Sequence, residues 1–568
     1  MSRSTVLASF RGHRPVSVRR DVVAGLTVWA VLVPESLAYA TIAGVPPVVG
    51  LYAAVPALLL YALLGSSRHL VVASMSATAA LSASVVAVYA RAGTVDYLSL
   101  TATLAIVTGI LGLAAGLAGL GFLASFISEP VLKGFIVGLA LTIIAGQLPK
   151  LVGVPKGRGN FFEQIADLLR HLPDANTATV AVGLASLAVV LGLRRWLPLV
   201  PGSLVAVLIG IAAVPLLGLV DKGVEIVGPI ESGLPTWGLP QGRGISDYLM
   251  LVSAAVGILL IAFAEGLAAA KAYAVRDGYD IDPNQELIAL GAANLGSGLG
   301  SGMVVNGSLS KTAVNGAAGA RSQLSGVTVA ALVVVTLLFL TGLFENLPEA
   351  TLAAVVIAAV VELVNVPSLV RLYRVWTGHL GGIYGWAARA DFLAALAALL
   401  GVLVFDILPG LFIGIAVSIL LLLYRASRPQ VATLVRSQTY PGTEGVWVDA
   451  ARHPGLRPPD RVVVVRVESG LFFANADHVR QAIRDRIRPD TVAVVLDAET
   501  TPAIDVTATD MLTQLAVELK RQDIVLLVAH GIGQIRDVLR TAGSPNQVLQ
   551  TTYATVDEAL AALPTDQG

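Results

Sequence analysis

The chain has 568 residues, 38 of them Lys or Arg and 38 Asp or Glu, so 13% are charged and the formal net charge is zero; 55% are hydrophobic before its 56 glycines are counted. Soluble domains carry roughly 25% charged residues, so this composition excludes an ordinary soluble enzyme, a disordered chain and a nucleic-acid binder relying on bulk positive charge. The absence of cysteine excludes disulfides and thiolate chemistry, and the seven histidines form no HExxH or paired cluster suited to zinc.

The zero is a sum of unequal parts. Residues 1–428 hold 25 basic and 21 acidic residues; the rest hold 13 and 17, at about twice the charged density. This divides the chain into a basic N-terminus (1–20), a membrane domain (21–428), a linker (429–445) and a C-terminal domain (446–568). The first twenty residues hold five arginines and no short apolar run with a cleavage site. The first span is therefore expected to act as its own insertion signal.

A span needs about 20 apolar residues. Apolar runs lie at 22–42, 48–65, 70–90, 99–120, 130–148, 177–194, 201–219, 249–274, 286–300, 309–320, 323–343, 350–365, 390–406 and 410–425, fourteen in all. Pro34, Pro46 and Pro47 are expected to interrupt or end the first. The runs at 286–300 and 309–320 are short and rich in Gly and Ser, and broken segments of this kind build midplane binding sites in transporters. With the N-terminus in the cytoplasm, sixteen Lys or Arg fall in inside loops and flanks and seven in outside loops. Cytoplasmic loops are the basic ones, so both termini are expected in the cytoplasm of a cell inner (plasma) membrane. The basic loop near 150–175 fits that count least well.

Glu265 lies inside the apolar run LMLVSAAVGILLIAFAEGLAAA, where a charge is costly and functional by default. Lys133 and Lys311 also remain within membrane segments. Glu129, Lys133, Glu286, Glu362, Asp391 and Asp406 sit at apparent span ends, and interfacial solvation is their expected role. Gly296–Gly302 (GSGLGSG) follows a membrane helix and lacks GKS/T, so it reads as helix packing rather than a phosphate loop. Asn306-Gly307-Ser308 is a formal glycosylation sequon with no supporting context. Beyond about residue 445, RVVVVRVE (461–468), TVAVVLDA (491–498) and DIVLLVAH (523–530) read as strands. Asn475–Arg488, Ala508–Lys520 and Ile532–Thr541 read as helices, with a last pair near 548–563. The C-terminal domain is thus a small α/β sheet, and no enzymatic constellation appears in it.

DVVAGLTVWAVLVPESLAYATIAGVPPVVGLY (Asp21–Tyr52) resembles the opening signature of the SulP family of anion transporters. The stretch Ala264–Gly326 is similar to that family's eighth-to-tenth helix region, and RASRPQVATLVR (Arg425–Arg436) to the exit into its cytoplasmic domain. The resemblance implies fourteen segments in two inverted seven-segment repeats. Segments three and ten would be half-helices with N-termini facing each other, and a core (segments 1–4 and 8–11) would move against a gate. It implies secondary anion transport, often of sulfate or bicarbonate and often coupled to H+ or Na+, and a homodimer. No cofactor follows from it.

Carried onto this chain, the anion would sit at Ser74, Met75 and Ser76 before segment three and Ser308, Leu309 and Ser310 before segment ten, with Lys311 as a fixed positive charge. Helix N-termini offer unpaired N–H groups and roughly +0.5 charge each; the serines could equally serve only as helix caps. Lys311 stands where the family often has arginine, and could instead snorkel to the interface. Glu265 matches the family's acidic position associated with ion coupling, with a salt bridge to Lys311 as the alternative. Glu35 departs from the family's usual glutamine: an ionised carboxylate can only accept hydrogen bonds, so it would repel an anion unless protonated or paired with Lys311. Tyr39, one turn on, could line the same pocket. Ala73-Ser74 replaces a more typical Gly-Pro, so the third segment is expected to begin less sharply.

The C-terminal run, including Leu471–Arg480, is similar to the STAS domain that ends SulP transporters. Asp505-Val506-Thr507-Ala508 matches the loop whose hydroxyl residue is phosphorylated in soluble relatives, with alanine for glycine; Thr507 could instead simply cap the next helix. Two competing readings remain at this point: an uncoupled anion conductance, and a membrane-anchored signalling protein that uses its STAS domain as a partner switch.

Overall fold

The computed structural model describes residues 15–122, 128–157, 159–197, 200–361, 370, 374, 385–405, 407–437, 446–531, 533, 537–538 and 552–563. It divides into two compact units, Met1–Gly378 with Ala388–Ser418, and His379–Ala387 with Ile419–Gly568.

Among the described residues, seven helices are long and apolar enough to cross a membrane, and five more are apolar but shorter. The order begins α1 (Pro15–Ile42), α2 (Val48–Leu64), β1 (Val71–Ala73), α3 (Ser76–Val86), α4 (Val95–Leu117), α5 (Glu129–Val152), α6 (Phe161–His171), α7 (Thr177–Trp196) and α8 (Gly202–Leu217). It continues with α9 (Ile245–Met250), α10 (Val252–Asp277), α11 (Pro283–Leu299), β2 (Asn306–Ser308), α12 (Leu309–Ala317), α13 (Leu324–Val335), α14 (Glu349–Val361), α15 (Gly385–Phe405) and α16 (Ile407–Ser427). Every one of the fourteen apolar runs carries a helix.

Strands β1 and β2 pair antiparallel, with Val71 opposite Ser308 and Ala73 opposite Asn306. Each leads directly into a short helix, so segments three and ten enter from opposite directions, as inverted repeats require. An isolated two-stranded ladder is marginal in water; here all six of its residues are buried.

Glycines set how closely the surrounding helices approach. A Cβ on Gly291 would lie 2.5 Å from the backbone nitrogen of Leu113, and one on Gly298 2.6 Å from the carbonyl of Ala102. Any side chain there would push α11 off α4, so the Gly296–Gly302 motif belongs to packing.

Two expectations change here, those for Pro34 and Glu286. Pro34 does not interrupt α1, which runs through it to Ile42; packed neighbours let a membrane helix tolerate a missing N–H. The break falls at Pro46-Pro47, between α1 and α2. Glu286 is not solvated at an interface but buried: its carboxylate accepts the Tyr61 hydroxyl at 2.7 Å, the Ser66 hydroxyl at 2.7 Å and the Ser66 and Ser67 N–H groups at 2.8 and 3.2 Å. The Asn306 sequon is closed, since that side chain is fully buried. Glu129 and Lys133 pair at 2.6 Å on the first turn of α5, and Asp391 is exposed. Glu362 and Asp406 lie outside the described residues.

The second unit is built on a six-stranded sheet of order β4-β3-β5-β6-β7-β8. The strands are β3 (Val431–Arg436), β4 (Trp447–Asp449), β5 (Val462–Val467), β6 (Ala493–Asp497), β7 (Val525–Ala529) and β8 (Thr552–Tyr553). β5 to β8 run parallel; β3 is antiparallel to both of its neighbours. Both faces are covered, which explains the unbroken valine run of β5. Val463 and Val465 face the helices α17 (Ala476–Arg484) and α18 (Val506–Lys520), while Val462 and Val464 face α19 (Val556–Ala561). β3 falls within 429–445, so part of the stretch assigned as linker belongs to the sheet. Most of Ile532–Thr541 lies outside the described residues.

Candidate functional site

The β1–β2 ladder brings the N-termini of α3 and α12 together, and Lys311 extends into that junction. The first turn of α12 forms locally: the Ser308 hydroxyl accepts the Lys311 N–H at 3.1 Å. This fixes the backbone of Lys311, whose side chain is completely buried. Its ammonium lies 2.6 Å from the Glu35 carboxylate, donates to the Ser74 carbonyl at 3.4 Å and sits 3.8 Å from the Met75 sulfur. The Tyr39 ring lies beneath it at 4.8 Å from ring centre to Nζ, and the Tyr39 hydroxyl donates to the same Glu35 oxygen at 3.3 Å. A buried ammonium with an ion pair, a carbonyl and an aromatic face is compensated on several sides.

Three segments distant in sequence therefore meet here: Glu35 and Tyr39 from α1, Ser74 and Met75 from the start of α3, and Ser308, Ser310 and Lys311 from α12. The Ser308 and Ser310 hydroxyls lie 3.2 Å apart, and the Ser74 hydroxyl donates to the Gly50 carbonyl at 3.1 Å. Ser76 opens α3 and is buried. Leu309 is 58% exposed, so only its backbone can serve the junction. Snorkelling of Lys311 is excluded by its burial.

Glu265 is not the partner of Lys311. Its carboxylate accepts the Asn306 side-chain amide at 2.9 Å, which links α10 to β2. Asn306 opposes Ala73 in the ladder, so Glu265 is connected to the junction through the strand pair rather than by direct ion pairing. A small cavity adjoins this link, lined by Tyr61, Leu70, Phe263, Gly266, Glu286 and Gly307. Tyr61 was not singled out from sequence, and Glu286 was read only as a span-end carboxylate. The signal is an acidic residue on the first turn of an apolar helix, but its partners lie some 220 residues away.

In the C-terminal unit, Asp505 caps α18: its carboxylate accepts the Ala508 N–H and the Phe473 N–H, both at 2.8 Å. The cap is thus Asp505 and not Thr507, which is exposed on the first turn. Asp497, Glu499 and His530 converge within 4.8 Å. Arg466 lies 2.6 Å from Asp497 and 2.5 Å from Glu499, so a guanidinium already supplies the cation for those carboxylates.

Residues 18–380 match the model of the sulfate permease family, and residues 453–559 that of the STAS domain. The chain belongs to the sulfate permease family. It is an anion transporter embedded in a membrane, not an enzyme. A probable sulfate transporter of Mycobacterium tuberculosis is 37% identical over 544 residues, covering 94% of this chain and 93% of that protein. Probable sulfate transporter 3.4 of Arabidopsis thaliana is 28% identical, covering 96% and 85%. The murine Solute Carrier 26 family member A9 anion transporter, solved in the inward-facing state, superimposes with a TM-score of 0.87 at 22% identity, covering 98% of this chain and 93% of that one. The transmembrane domain of a cyanobacterial bicarbonate transporter, BicA, gives 0.60 at 22% identity, covering 72% and 98%. These two likenesses establish the shared fold.

Proposed function

We propose that the chain is a proton-coupled secondary transporter of a small anion, with sulfate first and bicarbonate second. The anion is held between the N-termini of α3 and α12 beside Lys311, and exposed alternately to the two sides. The observation that carries this is the 2.6 Å pairing of Lys311 with Glu35 at the point where both N-termini converge. An incoming anion needs the same ammonium that Glu35 holds. Proton uptake by Glu35 turns an acceptor-only carboxylate into a neutral acid with a donor, which releases Lys311 to the anion. Anion and proton then bind together because each removes the other's electrostatic obstacle.

Charge accounting extends the argument. With Glu35 and Glu265 both ionised, the two carboxylates and Lys311 carry net −1. If each carboxyl takes a proton as one divalent anion binds, the loaded site again carries net −1. Two protons thus allow a divalent anion to move with no change in site charge, and H+ is preferred to Na+ as the coupling ion because protonation of Glu35 is what releases Lys311. On the same reading the protein is a homodimer in the inner (plasma) membrane with both termini cytoplasmic. Thr507 is sterically open to a regulatory phosphorylation near a helix start, where added negative charge is favourable.

The test is uptake of labelled sulfate into proteoliposomes under an imposed proton gradient, with bicarbonate as competitor. Concentrative uptake on the acid-driven side is expected, and loss of concentrative uptake in Glu265→Gln. Uptake indifferent to pH in both the parent and Glu265→Gln would remove the coupling. A steady anion current without any proton dependence would favour a conductance instead.

A further inference from the structure

A second feature concerns the bilayer rather than the anion. Helix α6 is 11 residues long, about 16 Å, too short to cross a hydrocarbon core of about 30 Å. It forms from local signals alone: the Asn160 side chain accepts the Glu163 N–H at 3.1 Å, and the Glu163 carboxylate accepts the Asn160 N–H at 3.0 Å. Phe161, Phe162, Ile165, Leu168 and Leu169 fall on one face, and Glu163, Asp167 and Arg170 on the other. No residue of the helix is buried, and Phe162 and Leu169 are 53% and 63% exposed. A soluble surface does not ordinarily present such a stripe to water.

The surroundings identify what covers it. The Asn176 N–H bonds the Val152 carbonyl at 3.2 Å, so the excursion leaves and returns at one point between the spans α5 and α7. The helix folds back along α5: a Cβ on Gly146 would lie 3.5 Å from the Lys156 ammonium and 3.7 Å from the Gln164 side-chain oxygen. Gly146 lies six residues, about 9 Å, before the end of α5 at Val152. Helix α6 thus lies beside the last turns of a span instead of projecting beyond them. Exposed apolar side chains also mark the apolar helices α7 and α8, at Leu184, Leu208 and Ile209.

We infer that α6 lies in the plane of the bilayer interface, with Phe162 and Leu169 inserted at the boundary of headgroups and acyl chains. Helices with one apolar and one charged face adopt this position. The polar face carries both signs of charge, so insertion rests on apolar area and occurs in zwitterionic lipid without an anionic headgroup. The inference does not depend on the transported ion or its coupling.

The cysteine-free sequence makes the experiment direct. Single cysteines replace Phe162, Leu169 or Arg170, each is labelled with a nitroxide, and the full chain is reconstituted into phosphatidylcholine vesicles. Collision rates with oxygen and with a water-soluble nickel chelate are then read by electron paramagnetic resonance. The ratio of oxygen to nickel collisions is expected to be several-fold higher at 162 and 169 than at 170. Equal ratios at all three positions would place the helix in water and overturn the inference. Labels at 162 and 169 shielded from both reagents would show a protein surface, such as a second copy of the chain, covering the stripe, and would also overturn it.

Discussion

The Lys311–Glu35 pair of the membrane unit and the Arg480–Glu518 pair of the C-terminal unit have nearly the same geometry, at 2.6 and 2.8 Å, but different surroundings. Lys311 is fully buried and Glu35 almost so; the side chains of Arg480 and Glu518 are 31% and 24% exposed. Water solvates the second pair when it opens. Nothing comparable is available to the first, so opening it requires a proton, a conformational change or another anion. Geometry alone does not distinguish a structural ion pair from a working one. The cost of separating its members does.

The largest effect is expected from Lys311→Met. Removing one partner of a buried pair costs about 3–5 kcal/mol because the other charge is left uncompensated. The melting temperature in detergent should fall sharply and sulfate uptake should drop to background. The double substitution Lys311→Met with Glu35→Met removes both charges and, by the same reasoning, should recover most of the stability while transporting nothing. If the double variant stays as unstable as the single one, lost packing and not the stranded carboxylate is the cause.

Glu35→Gln sharpens the comparison differently. The amide keeps shape and polarity but no longer holds Lys311 as a counter-ion. Sulfate binding should strengthen and lose most of its pH dependence, while proton-driven accumulation declines. Titration calorimetry at two pH values reads this. An unchanged pH dependence of binding would mean that Glu35 is not the group that competes with the anion. This outcome is separable from Glu265→Gln, which should retain binding and lose concentrative uptake.

An intermediate case is Asp497→Asn. Asp497 is fully buried, accepts Arg466 at 2.6 Å and lies 2.9 Å from the His530 ring nitrogen, yet Arg466 itself is partly exposed. Hydrogen bonds to a charged group are worth about 1.5–3 kcal/mol, and a loss of that size is expected in the C-terminal unit. Hydrogen exchange at the ends of β5 and β6 would report it, and no change there would mean that the guanidinium is satisfied by Glu499 alone.

These cases also show what a sequence can disclose. Long apolar runs gave the spans because the hydrocarbon core sets a minimum length that composition must meet. Lys311 and Glu265 stood out because a charge within such a run has few inexpensive explanations. Their partners were less accessible. Pairing of Glu35 with Lys311 was among the sequence alternatives and is what the structure shows; the bond of Glu265 to Asn306 was not, because it depends on the β1–β2 ladder, and a three-residue strand has no periodicity to detect. Glu286 was misplaced for a related reason: a carboxylate near a helix start looks the same whether it meets water or is wrapped by Tyr61, Ser66 and Ser67. β3 escaped because its six residues follow directly on a span exit rich in arginine. Pro34 was over-read because the rule that proline breaks helices is weaker where packed neighbours satisfy the freed carbonyl.

The smallest effect is expected at Glu518, where it is most easily read through pH. The Arg480 guanidinium donates to the Glu518 carboxylate and holds its pKa below the ordinary 4.5, with Arg484 adding to the shift. A carboxylate whose native pKa lies below its unfolded one adds stability that is fully present above the unfolded value. That stability is lost as pH falls through the native value. Glu518→Gln should therefore cost less than about 1 kcal/mol at neutral pH, the range of solvent-accessible pairs. The difference from the parent should disappear once the pH is well below 4.5. Amide exchange in α17 and α18, the two helices that the pair joins, measures this in the intact chain. A penalty that persists undiminished in acid would show that the side chain stabilises those helices by packing rather than by charge, and the contrast with Lys311–Glu35 would then rest on burial of the cation alone.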